Sequence, residues 1–162
     1  MRTFDASSLN YAWDFYPPDQ FPKLWAWIGE NVEAGEFTTP AVAFRETLDR
    51  LPECAQWLKD KNIVRLARLA TEASVLSEAL RLKNLLGIVE DAYGLGVGEN
   101  DLLIIATARV HKVELISQEA RQLDLPKRRD RFKIPAVCSL PEVLVPCRNV
   151  IELIKASKKV FA

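Results

Sequence analysis

Cysteine and histidine are scarce in this chain of 162 residues, which has three cysteines and a single histidine. Cys54, Cys138 and Cys147 are widely spaced, no two of them form a C-x-x-C pair, and His111 lies far from all three in sequence. Structural zinc sites and disulfide frameworks need several such residues at short, regular spacings. The sequence therefore disfavours both.

Long apolar runs are also lacking, and none approaches the ~20 residues that a membrane-spanning helix needs. The first residues, Met1 to Asp5, lead into the chain without an apolar signal region. We therefore expect a cytoplasmic protein without a membrane partner. Hydrophobic residues make up 49% and charged residues 27% of the chain, as in ordinary globular proteins, and the length predicts a single domain over residues 1–162.

The chain has no net charge, because 22 Lys and Arg balance 22 Asp and Glu. The charges are unevenly distributed: residues 1–60 have ten acids and five bases, and residues 121–162 have four acids and ten bases. A basic last quarter can attract a polyanion even in a neutral protein. The zero total therefore does not exclude a nucleic-acid partner.

Short β-like runs alternate with helical patterns along the chain. Strands are predicted at residues 3–5, 113–117 and 134–138, and residues 63–69 fit a strand or a helix. Apolar residues at helical spacing predict helices that begin at Ser7 with a serine cap, after Pro17-Pro18, at Pro40, at Pro52, before Leu76, at Glu99 and at Val150. This alternation predicts an α/β fold with a mainly parallel central sheet.

Four acids lie where apolar elements begin or end: Asp5, Glu46, Asp101 and Glu119. Sites in α/β sheets lie beyond the carboxyl ends of the strands, so acids at such boundaries are candidates for a shared site. Carboxylates that meet in one cleft repel each other unless a cation lies among them. Oxygen ligands without His or Cys favour Mg²⁺ or Mn²⁺ over zinc.

Each of these acids also has a purely structural interpretation. Asp101 stands at a helix N-terminus, where a negative charge is stabilising, and Asp5 can cap the helix that follows it. Glu46 can pair with Arg50 one helical turn away, and Glu119 can be a solvated surface residue. The residues alone leave both interpretations open.

The order and spacing of these segments resemble those of the PIN domain over essentially the whole chain. The resemblance is carried by Asp5-Ala6-Ser7-Ser8, Glu46, Gly98-Glu99-Asn100-Asp101 with the apolar run 102–108, Val113 to Glu119, Ile134 to Cys138, and Ile151 to Lys155. More narrowly, the chain resembles an uncharacterised bacterial branch of PIN-like proteins.

The resemblance implies a three-layer α/β/α sandwich and a ribonuclease that uses Mg²⁺ or Mn²⁺ to hydrolyse RNA phosphodiester bonds. Many PIN domains are the toxins of bacterial toxin–antitoxin pairs. By this resemblance Asp5, Glu46 and Asp101 are metal ligands and catalytic residues, and Glu119 is the fourth acid. Because Glu is longer than the usual Asp, Glu119 is assigned to a second metal or to outer support. Ser7 is expected to position Asp5 or to contact phosphate.

Basic and aromatic residues suggest where substrate and partners bind. Arg128, Arg129 and Arg131 form a basic run that is expected to draw RNA toward the acids. Trp27 falls off the apolar stripe of its helix, which predicts a protein-binding surface within residues 11–37. The resemblance implies an antitoxin partner and a homodimer.

Three further features have weaker functional interpretations. The loop Gly94 to Gly98 lacks the lysine of a phosphate-binding loop and is interpreted as flexible. Glu99, Asn100 and Asp91 are secondary site candidates. The departure at Glu119 also leaves open a catalytically silent PIN-like module that binds nucleic acid or protein.

Overall fold

The computed structural model describes residues 1–61 and 68–161. Within these residues one sheet contains β1 (Arg2–Phe4), β2 (Phe37–Pro40), β3 (Arg68–Leu69), β4 (Glu114–Ile116) and β5 (Cys147–Arg148). The strand order is β3-β2-β1-β4-β5, and every pairing is parallel. The expected α/β fold with a parallel central sheet is confirmed.

Helices connect the strands and cover the sheet. The α-helices are α1 (Ala6–Phe15), α2 (Pro22–Glu33), α3 (Ala41–Arg50), α4 (Pro52–Asp60), α5 (Ala73–Leu85), α6 (Glu99–Val110), α7 (Ile134–Cys138) and α8 (Val150–Ser157). A single 3₁₀ turn, Arg129–Arg131, precedes α7. Among the described residues, no helix is long and apolar enough to cross a membrane.

The core is divided by the sheet into two apolar clusters. Successive strand side chains point to opposite faces, so Leu115 belongs to one cluster and Ile116 to the other. The first cluster packs under α5, α6 and α7, and the second packs under α1, α2, α4 and α8. This arrangement makes three layers, with helices on both faces of the sheet.

Proline and glycine mark several helix boundaries, of which the sequence predicts the start at Pro52. Pro22 and Pro52 stand in the first turns of α2 and α4, where the missing N–H has no intrahelical partner. Gly35 and Gly87 follow α2 and α5 with φ of 72° and 71°. This left-handed backbone is strained for other residues but open to glycine.

The prediction of a strand at residues 134–138 is wrong, because this segment forms helix α7. Pro135 lies in the first helical turn, where its fixed φ favours a helix and its missing N–H removes a donor that a central strand needs. The edge place in the sheet is taken by β5 instead, and β2 is a further strand without a sequence prediction. Of the segment 63–69, only Arg68–Leu69 lies within the described residues, as β3.

The prediction that Trp27 is exposed at an interface is also wrong. Its side chain is buried against the rings of Phe37 and Phe161, each at 5.3 Å between ring centroids. Trp27 belongs to the same core cluster as Phe37 because α2 packs against β2. Phe15 and Phe21 are the aromatic residues that remain exposed in this part of the chain.

Candidate active site

Asp5 follows β1 directly and begins the candidate site. Its Oδ1 accepts the N–H of Ser8 at 2.7 Å, so Asp5, and not a serine, caps α1. The Ser8 hydroxyl donates instead to the Asp5 carbonyl at 2.8 Å. The structural interpretation of Asp5 as a helix cap is therefore correct, and it coexists with a place at the carboxyl edge of the sheet.

Two further serines join Asp5 to the segment after β4. The Ser7 hydroxyl donates to the Asp5 carboxylate at 2.8 and 2.9 Å and accepts the N–H of Gln118 at 3.0 Å. The Ser117 hydroxyl donates to Asp5 Oδ2 at 2.6 Å and accepts the N–H of Glu119 at 3.2 Å. These hydroxyls fix the Asp5 side chain and the start of the 117–119 segment in one network.

Burial dominates the electrostatics of Asp5, which is only 2% exposed. Desolvation raises the pKa of this carboxyl to about 6, against the hydrogen bonds from Ser117, Ser8 and Ser7, which lower it. Ionisation of Asp5 therefore destabilises the folded state. Such a buried and perturbed carboxyl is a common feature of functional sites.

Asp101 lies in the first turn of α6, and its Oδ2 accepts the N–H of Gly98 at 2.8 Å. Desolvation raises the pKa of Asp101, and the nearby Glu119 and Glu46 carboxylates raise it further. The Gly98 N–H and the Lys133 ammonium act in the opposite direction. Three of the four expected acids thus lie close enough to influence one another.

Glu46 reaches this group from α3, which packs against α6. Its Oε1 accepts a hydrogen bond from the Asn100 side-chain amide at 2.7 Å. The sequence suggested Arg50 as the partner of Glu46, whereas the structure gives that place to Asn100. The secondary candidate Asn100 therefore helps to hold one of the four acids.

Lys133 forms an ion pair with one of the four acids. Its Nζ lies 3.6 Å from Glu119 Oε2, with side-chain exposures of 41% and 34%. Its backbone N–H donates to Gln122 Oε1 at 2.8 Å, which fixes the start of α7. Glu119 is therefore paired with a cation.

The donor chemistry of these acids suits a hard divalent cation, since all four supply carboxylate oxygens. A bound cation would reduce the repulsion between Asp101 and the nearby Glu119 and Glu46 carboxylates. Within residues 1–61 and 68–161, however, no group of three or more His, Cys, Asp or Glu side chains is positioned to hold a metal ion. The acids share one edge of the sheet without forming a closed coordination sphere, and Glu46 and Glu119 are half-buried side chains long enough to turn inward.

The other candidate residues lie farther from this group or are already paired. Arg128 pairs with Asp130, and Arg129 Nη1 lies 3.2 Å from Glu142 Oε1. The Arg131 carbonyl accepts a hydrogen bond from Gln122 at 3.0 Å, and its side chain is exposed. Asp91 pairs with Lys83 at 3.6 Å and is fully solvated, and Glu99 lines a cavity beside α5.

The loop Gly94 to Gly98 is packed rather than free, contrary to its interpretation as flexible. The N–H of Val97 donates to the Phe132 carbonyl at 2.9 Å. A Cβ at Gly96 would lie 2.5 Å from the Asp130 carbonyl oxygen and 2.7 Å from that of Phe132. Glycine is thus needed at Gly96 for close approach of two backbone segments.

Sequence reasoning missed two residues of this site, Ser117 and Lys133. Ser117 ends β4 beside β1, so its position next to Asp5 follows once the two strands are known to pair. Lys133 was part of a basic run, but residues 134–138 were predicted to be a strand, so no helix start was expected beside Lys133. Both contacts depend on which distant segments pack together.

Comparisons with solved structures place this fold among known ones. The chain is similar to VapBC2 from Rickettsia felis bound to a DNA fragment from their promoter, with 16% identity over 91% of this chain and 97% of that chain and a TM-score of 0.54. It is also similar to FitAB bound to an IR36 DNA fragment, with 15% identity over 92% and 94% and a TM-score of 0.53. This likeness confirms the three-layer, PIN-like fold.

No curated protein matches the sequence of this chain. The model of one family, described as a domain of unknown function (DUF4411), matches residues 3–161. Since the match extends over nearly the whole chain, this protein belongs to the DUF4411 family.

Proposed function

We propose that this protein is a nuclease that requires Mg²⁺ or Mn²⁺ and hydrolyses phosphodiester bonds of RNA. The observation that carries the proposal is the group of Glu46, Asp101 and Glu119 at the carboxyl edge of a parallel sheet, where the pKa of Asp101 is raised by burial and by the other two acids. Sites of open α/β sheets lie at this edge.

The fold supports the toxin half of a toxin–antitoxin pair. The chain is similar in fold to VapBC2 and FitAB, each bound to a DNA fragment, and its resemblance to PIN domains associates this fold with such toxins. By analogy, we propose that an antitoxin protein binds this chain and that the chain forms a homodimer. Phe15 and Phe21, exposed near the end of α1 and the start of α2, are the remaining aromatic candidates for such a surface.

The resemblance makes Asp5, Glu46 and Asp101 the metal ligands and Glu119 the fourth acid. In this proposal Asp5 and Glu119 exchange these roles, because Glu119 lies with Glu46 and Asp101 whereas the Asp5 carboxylate already accepts hydrogen bonds from serine hydroxyls. When bound, the ion supplies water activation and neutralises charge on the phosphodiester oxygens. Ser7 and Ser117 hold the Asp5 carboxylate toward the end of β1. Asn100 orients Glu46 through its 2.7 Å hydrogen bond, and Lys133 balances the charge of Glu119.

Cleavage of single-stranded RNA tests this function most directly. The wild-type protein should cleave a labelled RNA in Mn²⁺ and lose this activity in EDTA. Asp5→Asn and Asp101→Asn should each reduce the rate by about 10–100-fold or more, since changes of residues that merely support metal ligands already have effects of that size.

A matched control is Asp49→Asn, which makes the same substitution at an exposed acid of α3, the helix that contributes Glu46. This variant should keep the wild-type rate. If Asp5→Asn and Asp101→Asn cleave RNA as fast as the wild type in Mn²⁺, the assignment of the site is wrong. A DNA strand of the same base order, assayed in parallel, determines whether the substrate is RNA.

Growth of the producing bacterium tests the toxin role. Induction of the wild-type protein should arrest growth, and Asp5→Asn should not. Co-expression of the protein encoded immediately upstream should relieve the arrest if that protein is the antitoxin. Growth at the normal rate, with RNA cleavage intact in vitro, would contradict the toxin role alone.

A second candidate is a catalytically silent PIN-like module that binds nucleic acid or protein. Two observations favour it. The Asp5 carboxylate already accepts hydrogen bonds from Ser7, Ser8 and Ser117, and within the described residues no group of three or more His, Cys, Asp or Glu side chains is positioned to hold a metal ion. Calorimetric titration with Mn²⁺ separates the candidates. Absence of heat together with absence of cleavage would support the silent module.

A further inference from the structure

Lys133 has three features that connect it with the candidate site. It is the N-cap of α7, its ammonium lies 3.6 Å from Glu119, and its charge is felt at Asp101. The ammonium is therefore placed beside the Glu119 carboxylate and within electrostatic reach of Asp101. At 41% exposure it also remains accessible to a ligand from solvent.

The position of Lys133 is fixed by its backbone. The preceding Phe132 is buried, and its carbonyl accepts the N–H of Val97, which lies shortly before Asp101 in the chain. Gln122 accepts the Lys133 N–H at 2.8 Å and donates to the Arg131 carbonyl at 3.0 Å. These hydrogen bonds hold the main chain of residues 131–133, and the flexible Lys133 side chain extends from this fixed backbone.

Two of the three arginines in the basic run before it are engaged elsewhere. Arg128 forms an ion pair with Asp130, and Arg129 lies 3.2 Å from Glu142. Lys133 pairs instead with a residue of the site itself. A lysine ammonium binds phosphate as a compact point charge, without the fixed geometry that an arginine fork requires.

We propose that Lys133 is a substrate-binding residue, whose ammonium takes a non-bridging oxygen of an RNA backbone phosphate and, in the free protein, rests on Glu119. This inference rests on the proposed function and names a residue for its substrate. A phosphate beside the acids requires positive charge that offsets their repulsion, and Lys133 is a cation that the structure pairs with one of those acids.

The same position gives Lys133 a second, opposite effect. An ammonium beside Glu119 and Asp101 repels a divalent cation that approaches them and competes with it for Glu119. Removal of the charge should therefore strengthen metal binding while it weakens RNA binding. A merely structural role would weaken both, because damage to the start of α7 would disorder the whole edge.

The test uses Lys133→Met, which keeps the length of the side chain, with Lys133→Arg as the conservative variant and Lys59→Met as the control. Lys59 is an exposed lysine of α4. Calorimetry with Mn²⁺ alone should give a dissociation constant at least about 3-fold lower for Lys133→Met, because one nearby positive charge is removed. Lys133→Arg and Lys59→Met should match the wild type.

RNA binding is measured by fluorescence anisotropy with a labelled single strand in Ca²⁺, under conditions where a gel shows the strand to be intact. Lys133→Met should bind more weakly, and the slope of log affinity against log salt should fall by about 0.7, the value for one phosphate contact on a single strand. Lys133→Arg should restore the slope, and Lys59→Met should leave it unchanged.

Two results would overturn the inference: an unchanged salt slope in Lys133→Met, or metal binding that weakens together with RNA binding. These readouts are binding measurements and do not require cleavage. If the wild type binds Mn²⁺ and RNA but cleaves nothing, the proposed nuclease function fails while the role of Lys133 is still decided. If cleavage occurs and the slope is unchanged, the inference alone fails.

Discussion

The candidate site has two halves that differ in how firmly their side chains are held. The inner half, Asp5 with Ser7 and Ser117, is buried and closed by hydrogen bonds of 2.6 to 2.9 Å between its side chains. The outer half consists of Glu46, Asp101, Glu119 and Lys133. Its Glu119 and Lys133 side chains are 34% and 41% exposed and lie 3.6 Å apart.

The difference indicates that the two halves have different roles at the edge of the sheet. A buried carboxylate surrounded by donors keeps one orientation, although its charge is unfavourable there. Exposed charges in loose pairs contribute little to stability but can exchange partners when a ligand arrives. We therefore expect changes in the inner half to appear in stability, and changes in the outer half to appear mainly in binding.

The largest expected loss of stability comes from Gly96→Ala. This substitution disrupts the packing of the Gly96 loop against residues 130–132, which precede Lys133 of the outer half. The added Cβ would meet backbone atoms of Asp130, Arg131 and Phe132 at 2.5 to 2.7 Å. Backbone cannot move aside as a side chain can, so we expect a loss of about 3 kcal/mol, the upper part of the range for overpacking. Urea denaturation measures this loss.

Gly94→Ala is the matched control in the same loop. A Cβ at Gly94 would lie 3.9 Å from the Asp130 carbonyl oxygen, an ordinary contact, so its effect should stay within about 0.5 kcal/mol. Equal stability of the two variants would show that the loop is not packed against residues 130–132, and the position of Lys133 would lose its support.

The next effect is that of Ser117→Ala, which opens the inner half. The substitution removes the 2.6 Å hydrogen bond to Asp5 and the acceptor of the Glu119 N–H. A hydrogen bond to a buried charged group contributes about 1.5–3 kcal/mol, and we expect a loss near 2 kcal/mol. The pKa of Asp5 should also rise further, because Ser117 is the strongest of the hydrogen bonds that lower it.

Asn100→Ala makes the corresponding change in the outer half, where it removes the 2.7 Å hydrogen bond to Glu46. Asn100 is exposed, so this loss should stay below about 0.5 kcal/mol. The comparison is made by urea denaturation at neutral pH in EDTA. A larger effect for Asn100→Ala than for Ser117→Ala would reverse the division between the two halves.

An effect of size between those of Ser117→Ala and Asn100→Ala is a pH dependence of stability that comes from Asp5. Burial raises the pKa of this carboxyl from 3.8 to about 6 in the folded protein. Between these values the folded state binds a proton that the unfolded state does not, so the Asp5 contribution to stability increases as the pH falls. From pH 7 to pH 5 the gain should be about 1 kcal/mol.

Asp5→Asn isolates this contribution, because every other titrating group is present in both proteins. The difference in unfolding free energy, wild type minus variant, should rise as the pH is lowered from 7 to 5. Parallel stability curves over this interval would mean that Asp5 is not perturbed by burial. The Asp5 carboxyl would then ionise as easily as an exposed acid.

Much of the fold could be predicted from the sequence because the signals are local. The apolar spacing that predicts helices α2, α5, α6 and α8 is a property of the chain itself, and Pro52 sets a helix start without tertiary help. Short segments were harder. The apolar run 134–138 is so short that it fits both a strand and a helix. In the folded protein it forms helix α7, shortly after residues 130–132, which pack against Gly96.

The aromatic residues illustrate the same limit. Trp27 lies off the stripe that faces α1, yet it is buried because β2 and Phe161 cover its other side. No helical periodicity can register a neighbour that comes from a distant part of the chain. An expected interface residue was therefore a core residue.

The sequence by itself limited the kind of metal ion that suits the proposed site, since hard oxygen donors are present while His and Cys are few. It also determined most of the helices and the order of the four acids. Only the tertiary structure decided that β1 and β4 are neighbours, which brings Ser117 onto Asp5, and that α7 begins at Lys133, beside Glu119. The physical reason is that composition and periodicity act within one segment, whereas a site at the edge of a sheet depends on which distant segments pack together.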